Sequence, residues 1–153
     1  MSKKQEISPL ETHLGYWMRF VSNRVSEDFR IAVEALGVSV TEWVALRTLY
    51  DSAGANHGNL TRALGMTKGA VSKLVARLEE KGLVGRQTGK ADARHVVLRL
   101  TAAGKALVPR LAALADKNDE KYFGHLSAAK RRDLRKMLEE IVRTHQLSKV
   151  PVN

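Results

Sequence analysis

Residues 59–78 read Asn59-Leu60-Thr61-Arg62-Ala63-Leu64-Gly65-Met66-Thr67-Lys68-Gly69-Ala70-Val71-Ser72-Lys73-Leu74-Val75-Ala76-Arg77-Leu78. Leu60, Ala63 and Leu64 give a short helical stripe that stops at Gly65, a residue able to take the left-handed conformation of a tight turn. Thr67 then caps a second helix, in which Val71, Leu74, Val75 and Leu78 fall at i, i+3, i+4 and i+7. Two helices crossing at a tight turn need a small residue at the contact, and Ala63 supplies it. The second helix is apolar on one face only. Its free face carries Thr67, Lys68, Ala70, Ser72, Lys73 and Arg77, with no acid before Glu79. Lys and Arg reach phosphates or guanine edges, hydroxyls donate to either, and a small Ala permits close approach. The spacing therefore predicts a helix-turn-helix whose second helix is free to enter a DNA groove, against the competing reading of an ordinary solvated amphipathic helix pair.

Downstream, Leu83 to Thr88 and Val96 to Leu100 alternate in polarity. Val96, Leu98 and Leu100 share one strand face, and Val97 and Arg99 share the other. The polar segment Gly89-Lys90-Ala91-Asp92-Ala93-Arg94 joins them, so the pair reads as a hairpin with a basic tip. Asp92 and Arg94 are two apart and project from one face, where the carboxylate can orient the guanidinium. An oriented Arg on a thin ribbon suits a narrow, electronegative minor groove. Lys90, Asp92 and Arg94 join the helix residues as candidate DNA contacts.

Upstream, Leu14, Trp17, Met18, Val21, Val25, Phe29 and Ala32 mark a long amphipathic helix ending at Leu36-Gly37. Ser39-Val40-Thr41-Glu42 reads as a capping box that opens a helix running to about Asp51. Ser52 to Gly58 reads as a loop. After the hairpin, a helix starts at Thr101, with Leu107, Leu111 and Leu114 on one side and Pro109 inside it as an expected kink. A last helix is capped by Ser127 and carries Leu134, Met137, Leu138, Ile141 and Val142. The fold class is mainly α with a small β-hairpin wing. One domain spans 1–153, with a winged helix-turn-helix lobe over 39–100 and helical dimerisation regions over 8–37 and 101–147. The apolar faces of the first and last helices exceed what a monomer of 153 residues needs to bury, which predicts an isologous homodimer.

Charge agrees with a nucleic-acid partner. The chain carries 26 Lys and Arg against 16 Asp and Glu, a formal net charge of +10. Leu60 to Lys105 holds ten basic and three acidic residues, most of that excess in under a third of the chain. There is no cysteine, which removes disulfides, thiolate metal sites and thiol redox sensing. The five histidines, His13, His57, His95, His125 and His145, show no metal-ligand spacing. No nucleophile-base pattern or phosphate loop points to catalysis, so neither an enzyme nor a cofactor is expected. No apolar run approaches membrane-spanning length and Met1 to Leu10 is polar, which predicts a cytoplasmic protein without membrane contact.

The run Leu60 to Leu83, the wing Asp92-Ala93-Arg94-His95-Val96-Val97-Leu98-Arg99-Leu100-Thr101 and Gly104 together resemble the MarR (multiple antibiotic resistance regulator) family. The resemblance covers about Leu10 to Leu147. It implies a winged-helix dimer interlocked through its first and last helices. It also implies a sequence-specific transcriptional regulator, in most members a repressor, that binds a near-palindromic operator and is released by a small, often phenolic, ligand. Thr67 to Arg77 would then enter the major groove and Arg94 the minor groove. His13, Trp17 and Phe20 lie at i, i+4 and i+7 on the first helix. They are candidate walls of an aromatic-ligand pocket, with Trp43 contributing and an aromatic carboxylate, met by His13 or a nearby Arg, as the expected ligand. The competing reading of this cluster is dimer or domain core. The competing reading of the whole chain is an architectural protein that coats DNA without an operator.

Overall fold

The computed structural model describes residues 6–88 and 96–148. A 3-10 turn, Leu10–Thr12, leads into α1 (Leu14–Glu34), α2 (Val40–Tyr50), α3 (His57–Leu64), α4 (Lys68–Glu80), β1 (Val84–Thr88), β2 (Val96–Leu100), α5 (Ala102–Phe123) and α6 (Ala128–Thr144). This is the order read from the sequence. Five helix starts carry a side-chain cap, from Ser39, Thr67 and Ser127 as expected and from Asn56 and Thr101 besides. Ser39 Oγ accepts from Glu42 N while Glu42 Oε2 accepts from Ser39 N, the reciprocal box. Thr67, Thr101 and Ser127 each accept from the amide three residues on. α3 starts at His57, earlier than the expected loop end, because Asn56 and Asn59 cap each other in the same reciprocal way. Gly65, at φ 59° and ψ 29°, makes the left-handed turn between α3 and α4.

The core lies where α2, α3, α4, the hairpin and the first half of α5 converge. Leu46, Leu60, Leu64, Leu74, Leu78, Leu98 and Leu111 are fully buried there. Each such leucine stabilises the fold by about 1.5–3 kcal/mol relative to an exposed one. β1 and β2 pair antiparallel from Val84 opposite Leu100 to Thr88 opposite Val96. Ala55 bridges the other edge of β2, exchanging backbone hydrogen bonds of 3.1 and 2.7 Å with Leu98. The base of the hairpin is thus held on both sides.

The entry to α5 explains the Leu-Thr-x-x-Gly run in physical terms. Thr101 Oγ1 donates to Gly82 O at 2.6 Å and accepts from Gly104 N, so one hydroxyl joins the end of α4 to the start of α5. A Cβ on Gly104 would lie 2.2 Å from Leu83 O, so only glycine fits this crossing. α5 runs through Pro109 as one helix. The proline removes the donor to Lys105 O on an exposed face, where water can replace it.

Glu42 is 2% exposed, a charged group in the middle of the lobe. Lys81, at the end of α4, donates from Nζ to Glu42 Oε2 at 2.7 Å and to Gly37 O at 2.8 Å. Arg77 Nε lies 3.6 Å from Glu42 Oε1. One carboxylate therefore joins the N-terminus of α2, the α1–α2 turn and the C-terminal end of α4. Removing it deletes both a cap and a buried ion pair. Glu42→Ala should lower stability by about 2–4 kcal/mol, and Glu42→Gln, which keeps the capping bond, by about 1–2 kcal/mol. Urea unfolding at fixed protein concentration checks this, and equal midpoints for the wild type and Glu42→Gln would show that the ion pair contributes nothing. Gly104→Ala should destabilise more than an alanine placed at Gly69, where an added Cβ meets nothing within 4 Å.

Candidate functional site

α4 presents two faces. Val71, Leu74, Val75 and Leu78 are buried, and Thr67, Lys68, Ser72, Lys73 and Arg77 are exposed. Ala70 is half-buried at the edge of the exposed face. The structure sets the six proposed helix residues along the outward side from the N-cap to the last turn, but not with equal freedom. Thr67 Oγ1 accepts from Ala70 N, which leaves its hydroxyl hydrogen to donate outward. Lys68 and Lys73 make no ion pair among the described residues. Arg77 leans toward Glu42, so it serves the lobe's interior as well as its surface. Gly69 and Ala76, absent from the sequence-based set, fall between Ser72 and Lys73 on the same outward side and are exposed. Their small size clears the middle of the face for close approach of a groove. The 3.6-residue period would have found them had small residues been counted with the polar ones.

The hairpin continues this surface. Arg86 is exposed on β1 and its Nε donates to Glu79 Oε1 at 2.8 Å, fixing the strand against the end of α4. Arg99 is exposed on β2. Lys90, Asp92 and Arg94 at the wing tip lie outside the described residues.

The aromatic candidates separate. His13 Nδ1 lies 3.1 Å from Pro9 O and 3.2 Å from Leu10 O. Trp17 Nε1 donates to Glu11 O at 2.8 Å. Tyr16 stacks edge-on against Trp17, with ring centroids 5.2 Å apart, and tilts over Phe20 at 6.2 Å. Trp17 and Phe20 are 49% and 66% exposed, on the half of α1 that α5 does not cover. None of His13, Trp17 and Phe20 lines the cavity between α1, α2 and α5.

Trp43 does. A cavity of about 1030 Å³ opens between α1, α2 and α5. Its apolar walls are Val25, Phe29, Val40, Trp43, Val44 and Ala115, and its polar ones include Ser22, Ser26, Ser39 and Asn118. Of the four candidate ligand residues, Trp43 lines this cavity, together with the turns of α1 that follow Phe20. Asn118 Nδ2 donates to Val25 O, and Lys121 and Tyr122 bond Asp28, so α5 packs on α1 at these turns. The Lys121 ammonium and then the Tyr122 hydroxyl hold the Asp28 carboxyl below its ordinary range. Arg30, the cation in the cavity wall, is clamped: Nε and Nη2 donate to Glu27 at 3.0 and 2.7 Å, and Nη1 donates to Glu34 at 2.6 Å. The same pairing pulls the Glu27 carboxyl down. Ser39 lines this cavity while its amide bonds Glu42, so the cavity wall and the end of α4 share one carboxylate.

Among the described residues no group of three or more His, Asp or Glu is placed to hold a metal ion, and no helix is long and apolar enough to cross a membrane.

Known proteins share this arrangement. The MarR family model matches residues 38–96, from the α1–α2 turn to the start of β2. The HTH-type transcriptional repressor Rv2887 of Mycobacterium tuberculosis is 30% identical over 128 residues, covering 84% of this chain and 92% of the relative. The crystal structure of Rv2887 in complex with salicylic acid is similar at a TM-score of 0.65 and 29% identity, over 89% of this chain and 98% of that one. The Staphylococcus aureus MepR–DNA complex is similar in fold, at a TM-score of 0.75 and 22% identity, over 86% of this chain and 98% of that one. A capped recognition-type helix beside a wing, entered and left by long helices, is thus accompanied by likeness along nearly the whole sequence, and the chain belongs to the MarR family.

Proposed function

We propose that this protein is a dimeric, sequence-specific DNA-binding regulator, a repressor that lets go of its operator when a small aromatic molecule enters the cavity between α1, α2 and α5. The observation that carries the DNA-binding reading is the outward face of α4, where Thr67, Lys68, Ser72 and Lys73 stand exposed around small residues while the opposite face is sealed in the core. A rigid helix held by its buried side, capped at its leading end and free of acids over its first three turns, is suited to the major groove. The lobe of residues 39–100 supplies the DNA contacts, and residues 8–37 and 101–147 supply the dimer.

The dimer reading rests on burial. α6 has 17 residues and none of them is buried, although its stripe of Leu134, Met137, Leu138, Ile141 and Val142 is that of a packed helix. Leu14, Trp17, Met18, Phe20 and Val21 on α1 are exposed as well. A second copy would cover both stripes in one isologous interface, which gives the aromatic cluster of α1 a place in the dimer. Release follows if the ligand favours a dimer whose two α4 helices no longer match the half-site spacing, and its effect is limited by its difference in affinity between the two states. Ser39 and Glu42 give a direct mechanical link for that shift. Rv2887, a repressor with a salicylic acid complex, is a relative consistent with this behaviour.

Lys73→Ala should weaken operator binding by about 1–3 kcal/mol per site. If Lys73 meets phosphate, the slope of log affinity against log salt falls by about 1 as well. Arg94→Ala should lose a similar amount with unchanged unfolding, and Asp92→Ala less, because that carboxylate only orients the arginine. An operator preference below about a thousandfold over random DNA at fixed salt would favour the architectural reading instead. For the ligand, aromatic binding should quench the fluorescence of Trp43: Trp17→Phe should keep the quenching and Trp43→Phe should lose it. The reverse pattern would return the pocket to the exposed cluster on α1.

A further inference from the structure

The walls of the cavity are charged against the trend of the chain. The protein carries a net +10, yet Glu27, Glu34 and Asp119 in the lining are opposed by Arg30 alone, which Glu27 and Glu34 clamp from the same helix, so the lining is net negative by two. Arg30 offers little to an incoming anion. All three of its nitrogens already donate to carboxylates, and any acid approaching it meets Glu27 and Glu34 at the same time. Asp119 makes no ion pair among the described residues and stands exposed at the α5 side. The aromatic walls, Trp43 and Phe29, are half-buried, with ring faces suited to stacking on a flat molecule or holding a cation.

We infer that the effector of this cavity is a planar aromatic cation, such as an amidine or a protonated ring amine, and not an aromatic carboxylate. The inference rests on the cavity being the ligand site proposed above. The ring stacks on Trp43 and Phe29 while the positive group faces Asp119 and the Glu27–Arg30–Glu34 cluster. A carboxylate would lose water and gain no unshared cation in return. The relative whose crystal structure holds salicylic acid shares only 29% of its residues with this chain, which leaves room for the wall charges to differ.

Three probes of equal shape separate charge from fit: 2-naphthamidine, neutral 2-naphthamide and 2-naphthoate. Each is titrated into the intact Trp17→Phe protein, with Trp43 fluorescence and operator release followed together at low salt. Naphthamidine should bind at least about tenfold more tightly than either other probe and release DNA over the same range. Asp119→Asn should reduce that advantage severalfold while leaving naphthamide affinity unchanged, and added salt should do the same. Naphthoate binding as tightly as naphthamidine, or an advantage untouched by Asp119→Asn, would overturn the charge assignment while leaving the cavity as the ligand site. If none of the three changes fluorescence or DNA binding, the cavity is no effector site and both readings fall. If naphthamidine binds with equal strength to Trp43→Leu, it sits elsewhere, and the inference fails.

Discussion

A single buried carboxylate sets the position of the helix on which the protein's surface chemistry depends. Burying Glu42 is costly unless its oxygens are matched, and they are: by the amide of Ser39, by the ammonium of Lys81 and, at longer range, by the guanidinium of Arg77. Because Lys81 also donates to Gly37 O, α4 is held by its C-terminal end to the turn where α1 gives way to α2. Its other end is fixed by the Gly65 turn and the Thr67 cap. Hydrophobic burial of Leu74 and Leu78 chooses which side of α4 faces in. It is non-directional, and the polar tie is what resists sliding along the axis.

The same tie places the cavity and the DNA-facing helix in one mechanical unit. Ser39 belongs to the cavity wall by its position and to the Glu42 junction by its amide. The cavity wall at α2 is therefore joined to the base of α4 through a chain of two hydrogen-bonded groups that does not pass through the leucine core. The clamp of α5 on α1, through Asn118, Lys121 and Tyr122, supplies the fixed side of the cavity.

α1 is used twice along its length. From Val25 onward it is covered by α5 and α2, with Val33 fully buried. Before that its apolar residues stand exposed, as do those of α6, which buries none of its own. An amphipathic stripe of uniform composition thus splits into a domain-core half and a half awaiting another chain. The charge pattern divides in a similar way. A strongly basic molecule carries its free lysines on the outward face of α4 and places three carboxylates around an aromatic-walled cavity on the other side of the lobe.

The local events were legible in the sequence because they are decided within a few residues. The Ser39–Glu42 box, the Thr67, Thr101 and Ser127 caps, the Gly65 turn, the alternation of β2 and the one-sided apolar stripe of α4 all follow from short-range geometry, and with them the order of elements and the outward set from Thr67 to Arg77. The resemblance carried by Leu-Thr-x-x-Gly was visible too, although its cause, a Leu83 carbonyl that leaves no room for a Cβ on Gly104, appears only when α5 is packed. Contacts that join distant residues were not legible. Glu42 and Lys81 are 39 residues apart and Val25 and Asn118 are 93 apart, and no periodicity links them. For that reason the sequence offered Trp17 and Phe20 as pocket walls on the strength of being aromatic. The cover of α5 over α1 leaves those two exposed and sets Phe29 and Trp43 in the cavity wall. Side-chain type and spacing specify which face of a helix is apolar; only the packing of other helices specifies how far along that face the cover extends.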